Sequence, residues 1–292
     1  MPETSCFSCT SPAPNRPPQS KGSADMAVAS ERWYSPAQSR HVTLGDLKIS
    51  YVPDGYVELE PEGWYRTTTF PTRPPVSEDG YLIGSVGSVV IHEADGLVVI
   101  DAGFGPLQLP RHRTHPSLGT MRGGLNPEYA TLGDERIKAL AITHAHEDHV
   151  GWIGAGQPDR LNPEQVFVGA PDAARLAHLT GTTNVGALHG GEQISDSVRA
   201  IHTPGHTAGH MSYMVESRGE RALIFGDVFH SPVQFHDTTM GPWSDENPDQ
   251  ARRSRKLVAE LLTEPHTIGV GYHFADIVFG TLTPEGWQPL HL

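Results

Sequence analysis

An α/β sandwich, with helices outside two packed sheets, is the fold class this sequence predicts, and three observations lead to it. Short apolar runs bounded by Gly, Asp and Pro recur from Val42 onward, as strands do. Segments with helical apolar spacing fall between them. The chain has 292 residues and 37% hydrophobic content, enough to fill a substantial core.

Taken in order, residues 1–32 are rich in Pro, Ser, Ala and Gly with hardly any large apolar side chain. Burial cannot offset the entropy of ordering them, so a mobile tail is expected there, followed by one catalytic domain over 33–292. Strands are expected at 47–52, 88–92 and 97–100, with Glu93-Ala94-Asp95-Gly96 as a hairpin turn between the last two. Residues 104–127 lack periodicity and read as a long functional loop. A short helix at 132–138 then leads into a strand at 139–142. A strand at 166–168, a helix at 172–179 and strands at 198–201, 211–215 and 222–225 follow. Asn247 caps a helix over 248–262 with Leu257, Val258 and Leu261 on one face, and a strand at 267–270 comes after it. The basic group Arg252, Arg253, Arg255 and Lys256 reads as the solvated face of that helix.

Thirty-four acidic against 21 basic side chains give a formal charge of −13, which repels phosphate backbones and argues against nucleic acid as a partner. The expected partner is a small-molecule substrate; the sequence is silent on oligomeric state, a homodimer being compatible with it. No apolar stretch of 18 residues and no secretory signal pattern is present, so a cytoplasmic protein that does not engage membranes is expected. Two cysteines, Cys6 and Cys9, lie in the polar tail, which excludes a disulfide framework for the body. One Cys-x-x-Cys pair cannot close a tetrahedral metal site either.

Histidine carries the functional signal: there are 17, and the run Thr143-His144-Ala145-His146-Glu147-Asp148-His149 places four donors just past an apolar strand. His206 in Pro204-Gly205-His206, Asp227 in Phe225-Gly226-Asp227 and His273 in Gly271-Tyr272-His273 also follow strands, where loops hold side chains over a sheet edge. A lone histidine is usually a satisfied core or surface residue, and His112, His115, His178 and His189 are read so. The dense cluster cannot be explained by packing. Imidazoles and carboxylates without thiolates suit Zn²⁺ best, with Mn²⁺, Fe²⁺ or Co²⁺ able to use the same donors. His144 and His146 point one way and Asp148 and His149 the other, so one loop can feed two ions. Glu147, between them, is expected to face solvent.

These residues resemble the pattern of the metallo-β-lactamase superfamily, His-x-His-x-Asp-His followed by His, Asp and His, with all seven positions matched over about residues 80 to 280. The resemblance implies an αββα sandwich with the site at one edge. It assigns His144, His146 and His206 to a first metal, Asp148, His149 and His273 to a second, and Asp227 to a bridge between them. It also implies that Asp101 in Ile100-Asp101-Ala102-Gly103 orients a ligand histidine from behind.

Two such ions would activate water as the nucleophile, with Asp148 passing a proton to the leaving group. The phrases around His206 and Asp227 look most like the quorum-quenching lactonase and organophosphate hydrolase branch. Known lactonases there carry a tyrosine three residues after the bridging Asp, and this chain has His230, which can donate the same hydrogen bond. Trp152, Phe229, Phe235, Trp243 and Phe274 are candidates for an apolar pocket wall. The expected activity is hydrolysis of a lactone, ester or related carbonyl. The alternatives are a thioesterase or polyketide cyclase-type biosynthetic enzyme, and a mono-iron sulfur dioxygenase that would leave Asp148, His149 and His273 without a shared metal.

Overall fold

The computed structural model describes residues 31–111, 115–132, 134–153 and 161–292. The expected tail lies outside the described residues as far as position 30, with Cys6 and Cys9 in it, and so does His112. The first sheet contains β1 (Arg40–Leu44), β2 (Leu47–Leu59), β3 (Leu82–Glu93), β4 (Gly96–Ile100), β5 (Gln108–Leu109), β6 (Leu118–Arg122), β7 (Ile137–Ala141), β8 (Val166–Gly169) and β9 (Val185–Leu188). Its order is β5-β6-β2-β3-β4-β7-β8-β9, and β1 also pairs with β2. The second sheet runs in sequence order from β10 (Val198–His202) through β11 (Met211–Ser217), β12 (Glu220–Ile224), β13 (Thr267–Val270) and β14 (Phe279–Thr283) to β15 (Gly286–Pro289). The helices are α1 (Pro61–Tyr65), α2 (Glu128–Leu132), α3 (Glu147–Val150), α4 (Ala173–Thr180) and α5 (Pro248–Leu262).

Strand alternation sorts these sequences into layers. Val89, Ile91, Val98, Ile100, Ala139 and Ala141 of the first sheet share a core with Ala200, Tyr213, Val215, Ala222 and Ile224 of the second. Their strand neighbours Val90, Leu97, Val99 and Leu140 face the other way, onto Tyr129 and Leu132 of α2, Val150 of α3 and Leu176 of α4. Met214 and Leu223 likewise turn outward onto Val258 and Leu262 of α5. The result is an αββα sandwich. Burying each Val, Leu, Ile or Met side chain among them contributes about 1.5–3 kcal/mol, and a one-residue slip would put the whole set on the wrong face. Among the described residues no helix is long and apolar enough to cross a membrane.

The expected helix over 132–138 is corrected: the helix is Glu128–Leu132, and β7 already starts at Ile137. Asn126 Oδ1 accepts the Glu128 amide at 3.0 Å, which starts the helix earlier than apolar spacing indicates. Lys138, whose charge favours a helix surface, sits in the strand and pairs with Asp95 at 2.5 Å and with Glu93. The aperiodic stretch 104–127 contributes the short edge strands β5 and β6, which pair with each other, and β6 pairs with β2. The strands β1, β9, β14 and β15 are additions to the expected set, and β2 extends well beyond position 52. The β3–β4 turn falls where the hairpin is expected, with Glu93 opposite Gly96.

Strand direction sets the position of the site. Strands β4 and β7 are parallel, as are β12 and β13, and β10 shares the direction of β12 because β11 is antiparallel to both. Their C-terminal ends meet along one edge of the sandwich. There the Tyr213 hydroxyl donates to the Ile142 carbonyl at 2.8 Å, the Tyr272 hydroxyl to the Ile100 carbonyl at 2.7 Å, and the Met211 amide to the Thr143 carbonyl at 2.8 Å. Those bonds tie the two sheets together beneath the donors.

Candidate metal centre

Each donor follows one of these strand ends: Asp101 after β4, the His144–His149 run after β7, His206 after β10, Asp227 after β12 and His273 after β13. Two glycines make the sharp exits possible. Gly205, before His206, has φ +134°, and a Cβ there would lie 2.0 Å from the Ala251 nitrogen. Gly226, before Asp227, has φ +51°, and its Cβ would lie 2.8 Å from His210 Nε2. A side chain at either position would displace the donor after it.

The donors converge in two groups. His144, His146, His206 and Asp227 form one, and Asp148, His149, Asp227 and His273 the other, with the ligand atoms of each group within 4.8 Å of one another. In the first, His146 Nδ1 lies 2.9 Å from His144 Nε2 and 3.0 Å from His206 Nε2, and Asp227 Oδ2 is 3.4 Å from His206 Nε2. In the second, His149 Nε2 is 3.3 Å from Asp227 Oδ1 and 3.6 Å from Asp148 Oδ2, while His273 Nε2 is 3.1 Å from Asp227 Oδ2 and 3.5 Å from Asp148 Oδ2. Asp227 belongs to both.

The electrostatics suit cations. Burial drives the pKa of His144 well below its ordinary value and that of His146 down to about 2, so these rings are neutral and their lone pairs converge. Nitrogens bound to one tetrahedral zinc at 2.0–2.1 Å stand about 3.3 Å apart, close to the spacing here. Burial also opposes charge on His149 and His273. Carboxylates outweigh it and raise both pKa values: Asp148, Asp227 and Asp101 around His149, and Asp227 and Asp148 around His273. An anionic recess that can hold a proton there can equally hold a metal. Asp227, despite burial, is held well below the usual carboxylate range, above all by His273 and His149. Among the described residues, Asp227 Oδ1 and His149 Nε2 are both buried without a hydrogen-bond partner, which costs about 1–3 kcal/mol for each group. A divalent ion between them satisfies both. The residues therefore fit a pair of metal ions on chemistry and geometry.

Buried partners hold the donors. Asp101, in the left-handed region at φ +59°, accepts from the Thr143 amide at 2.6 Å and lies 2.7 Å from His149 Nδ1. His206 Nδ1 meets Asp245 Oδ1 at 3.2 Å, and Asp245 Oδ2 pairs with Arg255 at 3.0 Å. Arg255 also donates to the Thr238 carbonyl and is 1% exposed, so its reading as a solvated helix residue is corrected. Its neighbours Arg252, Arg253 and Lys256 are exposed. Asp172, read in the sequence as a helix start, accepts from Thr207 at 2.6 Å, from the Gly209 amide at 3.0 Å and from the Ala145 amide at 3.2 Å, tying two donor loops together. His210, held neutral by burial with its pKa lowered to about 3, accepts the Asp227 amide on Nε2 at 3.1 Å and lies 2.9 Å from the Thr203 hydroxyl through Nδ1. The sequence offers a signal for His210 in Gly209-His210 and none for Asp245. His230 lies 3.1 Å from Asp227 Oδ2 through Nε2. Burial lowers its pKa to about 4.

Above the donors opens a cavity of about 320 Å³. Val57, Leu59, Trp64, Phe104, Leu118, Met121 and Trp243 wall it, and His146, Asp148, His206, Asp227, His230 and His273 form its floor. Of the aromatic residues proposed as a wall, Trp243 alone lines this cavity. Trp152 stacks on Tyr129 beneath the first sheet, and Phe229, Phe235 and Phe274 pack with Phe225 and Trp287 in the core under α5. Their proximity in sequence to the donors does not carry into space, because they leave the strand ends on the opposite side. Exposed Glu147 sits on the cavity rim.

Comparison with known proteins gives a consistent result. The atrochrysone carboxyl ACP thioesterase of Passalora fulva is 33% identical over 117 residues, 36% of this chain and 32% of that protein. A hydroxyacylglutathione hydrolase of Cupriavidus metallidurans is 32% identical over 96 residues, 32% of this chain and 36% of that protein. The matches thus span about a third of the length of these curated relatives. The solved structure of AidC, a dizinc quorum-quenching lactonase in complex with its product, superposes with a TM-score of 0.71 at 17% identity, covering 88% of this chain and 98% of that one. At that identity the likeness speaks for the fold. The family model of the metallo-beta-lactamase superfamily matches residues 82–270, the span that holds β3 through β13 and both donor groups except His273, and the chain belongs to that superfamily.

Proposed function

We propose that the protein is a dinuclear metal-dependent hydrolase acting on a lactone, ester or related carbonyl substrate. The observation that carries this reading is the shared carboxylate: Asp227 stands in both donor groups, as a ligand common to two ions must. Two divalent ions, Zn²⁺ in the first instance, would supply Lewis acidity toward a carbonyl oxygen and toward water at neutral pH. His144, His146 and His206 would hold one ion, Asp148, His149 and His273 the other. Asp101 and Asp245 keep His149 and His206 turned toward them. Asp148, half-buried at the cavity floor, would pass a proton to the leaving oxygen or sulfur. His230 steadies Asp227 through Nε2 and stands on the floor where a substrate carbonyl would lie. A substrate entering the apolar walls leaves bulk water behind, which strengthens every polar contact on the floor.

Similarity to an acyl-carrier thioesterase and a hydroxyacylglutathione hydrolase supports a second reading on the same site, with a thioester as the substrate. One panel separates the two. Zinc-loaded protein is assayed with a medium-chain γ-lactone, a phenyl ester and an acyl thioester, before and after chelation. Lactone and ester turnover lost on chelation supports the first reading, and thioester turnover alone the second. A fully metallated protein inert toward all three would sink both.

A further inference from the structure

His273 is held differently from the other ligand histidines. His149 has Asp101 behind its Nδ1 and His206 has Asp245, the usual arrangement for an imidazole that binds metal. His273 Nδ1 is buried without a hydrogen-bond partner among the described residues. It lies against β3, since a Cβ added to Gly84 would stand 3.2 Å from it, and the ring stacks on His230 at 5.3 Å between centroids. No acceptor fixes this ring from behind. Its place depends on how the loop after β13 is held.

That loop is closed by the Gly271 amide, which donates to the Val278 carbonyl at 2.9 Å, and is tied to β3 by the Ala275 amide, which donates to the Ile83 carbonyl at 3.1 Å. Ala275 sits in the left-handed region at φ +44°, a conformation that persists in a non-glycine residue only where its surroundings hold it. The next residue supplies the hold. Asp276 is 3% exposed, and its Oδ1 accepts from the Gln38 amide and from Arg40 Nε, each at 2.9 Å. Its Oδ2 pairs with Arg32 Nε at 3.2 Å and with Arg40 Nη2. The backbone is gripped as well: the Asp276 amide donates to the Arg32 carbonyl at 3.0 Å, and its carbonyl accepts from Arg32 Nη2 at 2.8 Å. The segment 32–40 is anchored in turn. The Ala37 amide donates to Ser85 Oγ at 2.8 Å, one residue from Gly84, and Arg40 opens β1 opposite Tyr51 of β2. Two arginines on one buried carboxylate fix a single geometry, although a buried ion pair adds little net stability over apolar packing.

We infer that Asp276, clamped by Arg32 and Arg40, is a positioning residue for His273, so that the segment 32–40 sets the affinity of the metal site His273 belongs to and leaves the site of His144, His146 and His206 unaffected. This rests on the two-metal reading, and zinc affinity is measured apart from turnover so that the two can fail separately. Metal-free protein is titrated with zinc against a chromogenic chelator, and the His273-dependent ion is identified as the one that His273→Ala loses. Asp276→Asn keeps the shape and removes the charge. It should bind that ion about tenfold more weakly, with the other ion held within about twofold of wild type. Arg40→Met should weaken the same ion, and Arg40→Lys, which keeps the charge, should recover part of the loss. A clamp that served folding alone would lower stability in urea while shifting both zinc affinities together or neither. Equal weakening of the two ions, or an unchanged affinity for the His273-dependent one, would therefore overturn the assignment. If Asp276→Asn fails to fold, the two Arg40 variants decide by the same comparison. Wild type that binds one zinc removes the two-metal reading and this inference with it, whereas two zinc ions with no selective loss in the variants overturn the clamp alone.

Discussion

The floor of the cavity and its walls are held in different ways. On the floor, donors are fixed one by one from behind: His149 by Asp101, His206 by Asp245 and Arg255, Asp227 by His210. On the walls, Trp64, Leu118, Met121 and Trp243 come from α1, β6 and the segment before α5, and they support each other through ring contacts and apolar packing. Metal ligation demands particular atoms within a few tenths of an ångström. An apolar wall demands volume and shape, which many residues can supply. Substitutions on the floor should therefore remove chemistry, and substitutions on the wall should change what is accepted.

The sharpest break between the two is Asp227→Ala. Loss of the shared carboxylate should lower turnover by more than about a thousandfold and reduce bound metal, read by steady-state rates and elemental analysis on the same preparation. Unchanged hydrolysis there would remove Asp227 from the bridge. The support beneath the floor comes next. Arg255→Met leaves the buried Asp245 carboxylate without its guanidinium partner, with His206 alone on its other oxygen, and should cost about 3–5 kcal/mol of folding stability in urea unfolding. A loss under 1 kcal/mol would mean that the pair carries no structural weight. Asp101→Asn and Asp245→Asn keep the shape and remove the charge behind a ligand histidine. Each should weaken metal affinity about 10–100-fold, with rates recovered by excess zinc, as competition with a chromogenic chelator can measure. The wall variant Trp243→Ala should show the smallest effect: KM raised about tenfold for acyl substrates, with kcat and metal content close to wild type. A wall change that emptied the metals would erase the distinction.

The same contrast explains what could be read from the sequence. The seven donors of the floor are legible because coordination restricts residue type, and because loops after apolar strands confine them to short motifs such as the 144–149 run. The sandwich is legible because Val89 to Ile91, Val98 to Ile100 and Tyr213 to Val215 alternate between two buried faces. The wall is not. Val57, Leu59, Leu118 and Met121 look like any core residue, and what makes them a wall is the pairing of β6 with β2, a contact between distant segments. Trp152, Phe229, Phe235 and Phe274 show the reverse error, since nearness along the chain to a donor says little about which face a ring leaves by. Arg255 stands in sequence among charged neighbours that face solvent, although its partner Asp245 takes it inside. Helical spacing does mark position 255 as buried, together with Ala251, Val258 and Leu262, so the pattern outweighed the charge.

The central claim is that one carboxylate joins two metal sites, and counting ions tests it most directly. Wild type dialysed against zinc and analysed by elemental mass spectrometry should hold about two ions per chain, and His273→Ala about one, because His273 stands in one donor group and not in the other. A single ion in wild type, or two retained in full by the His273 variant, would contradict the account.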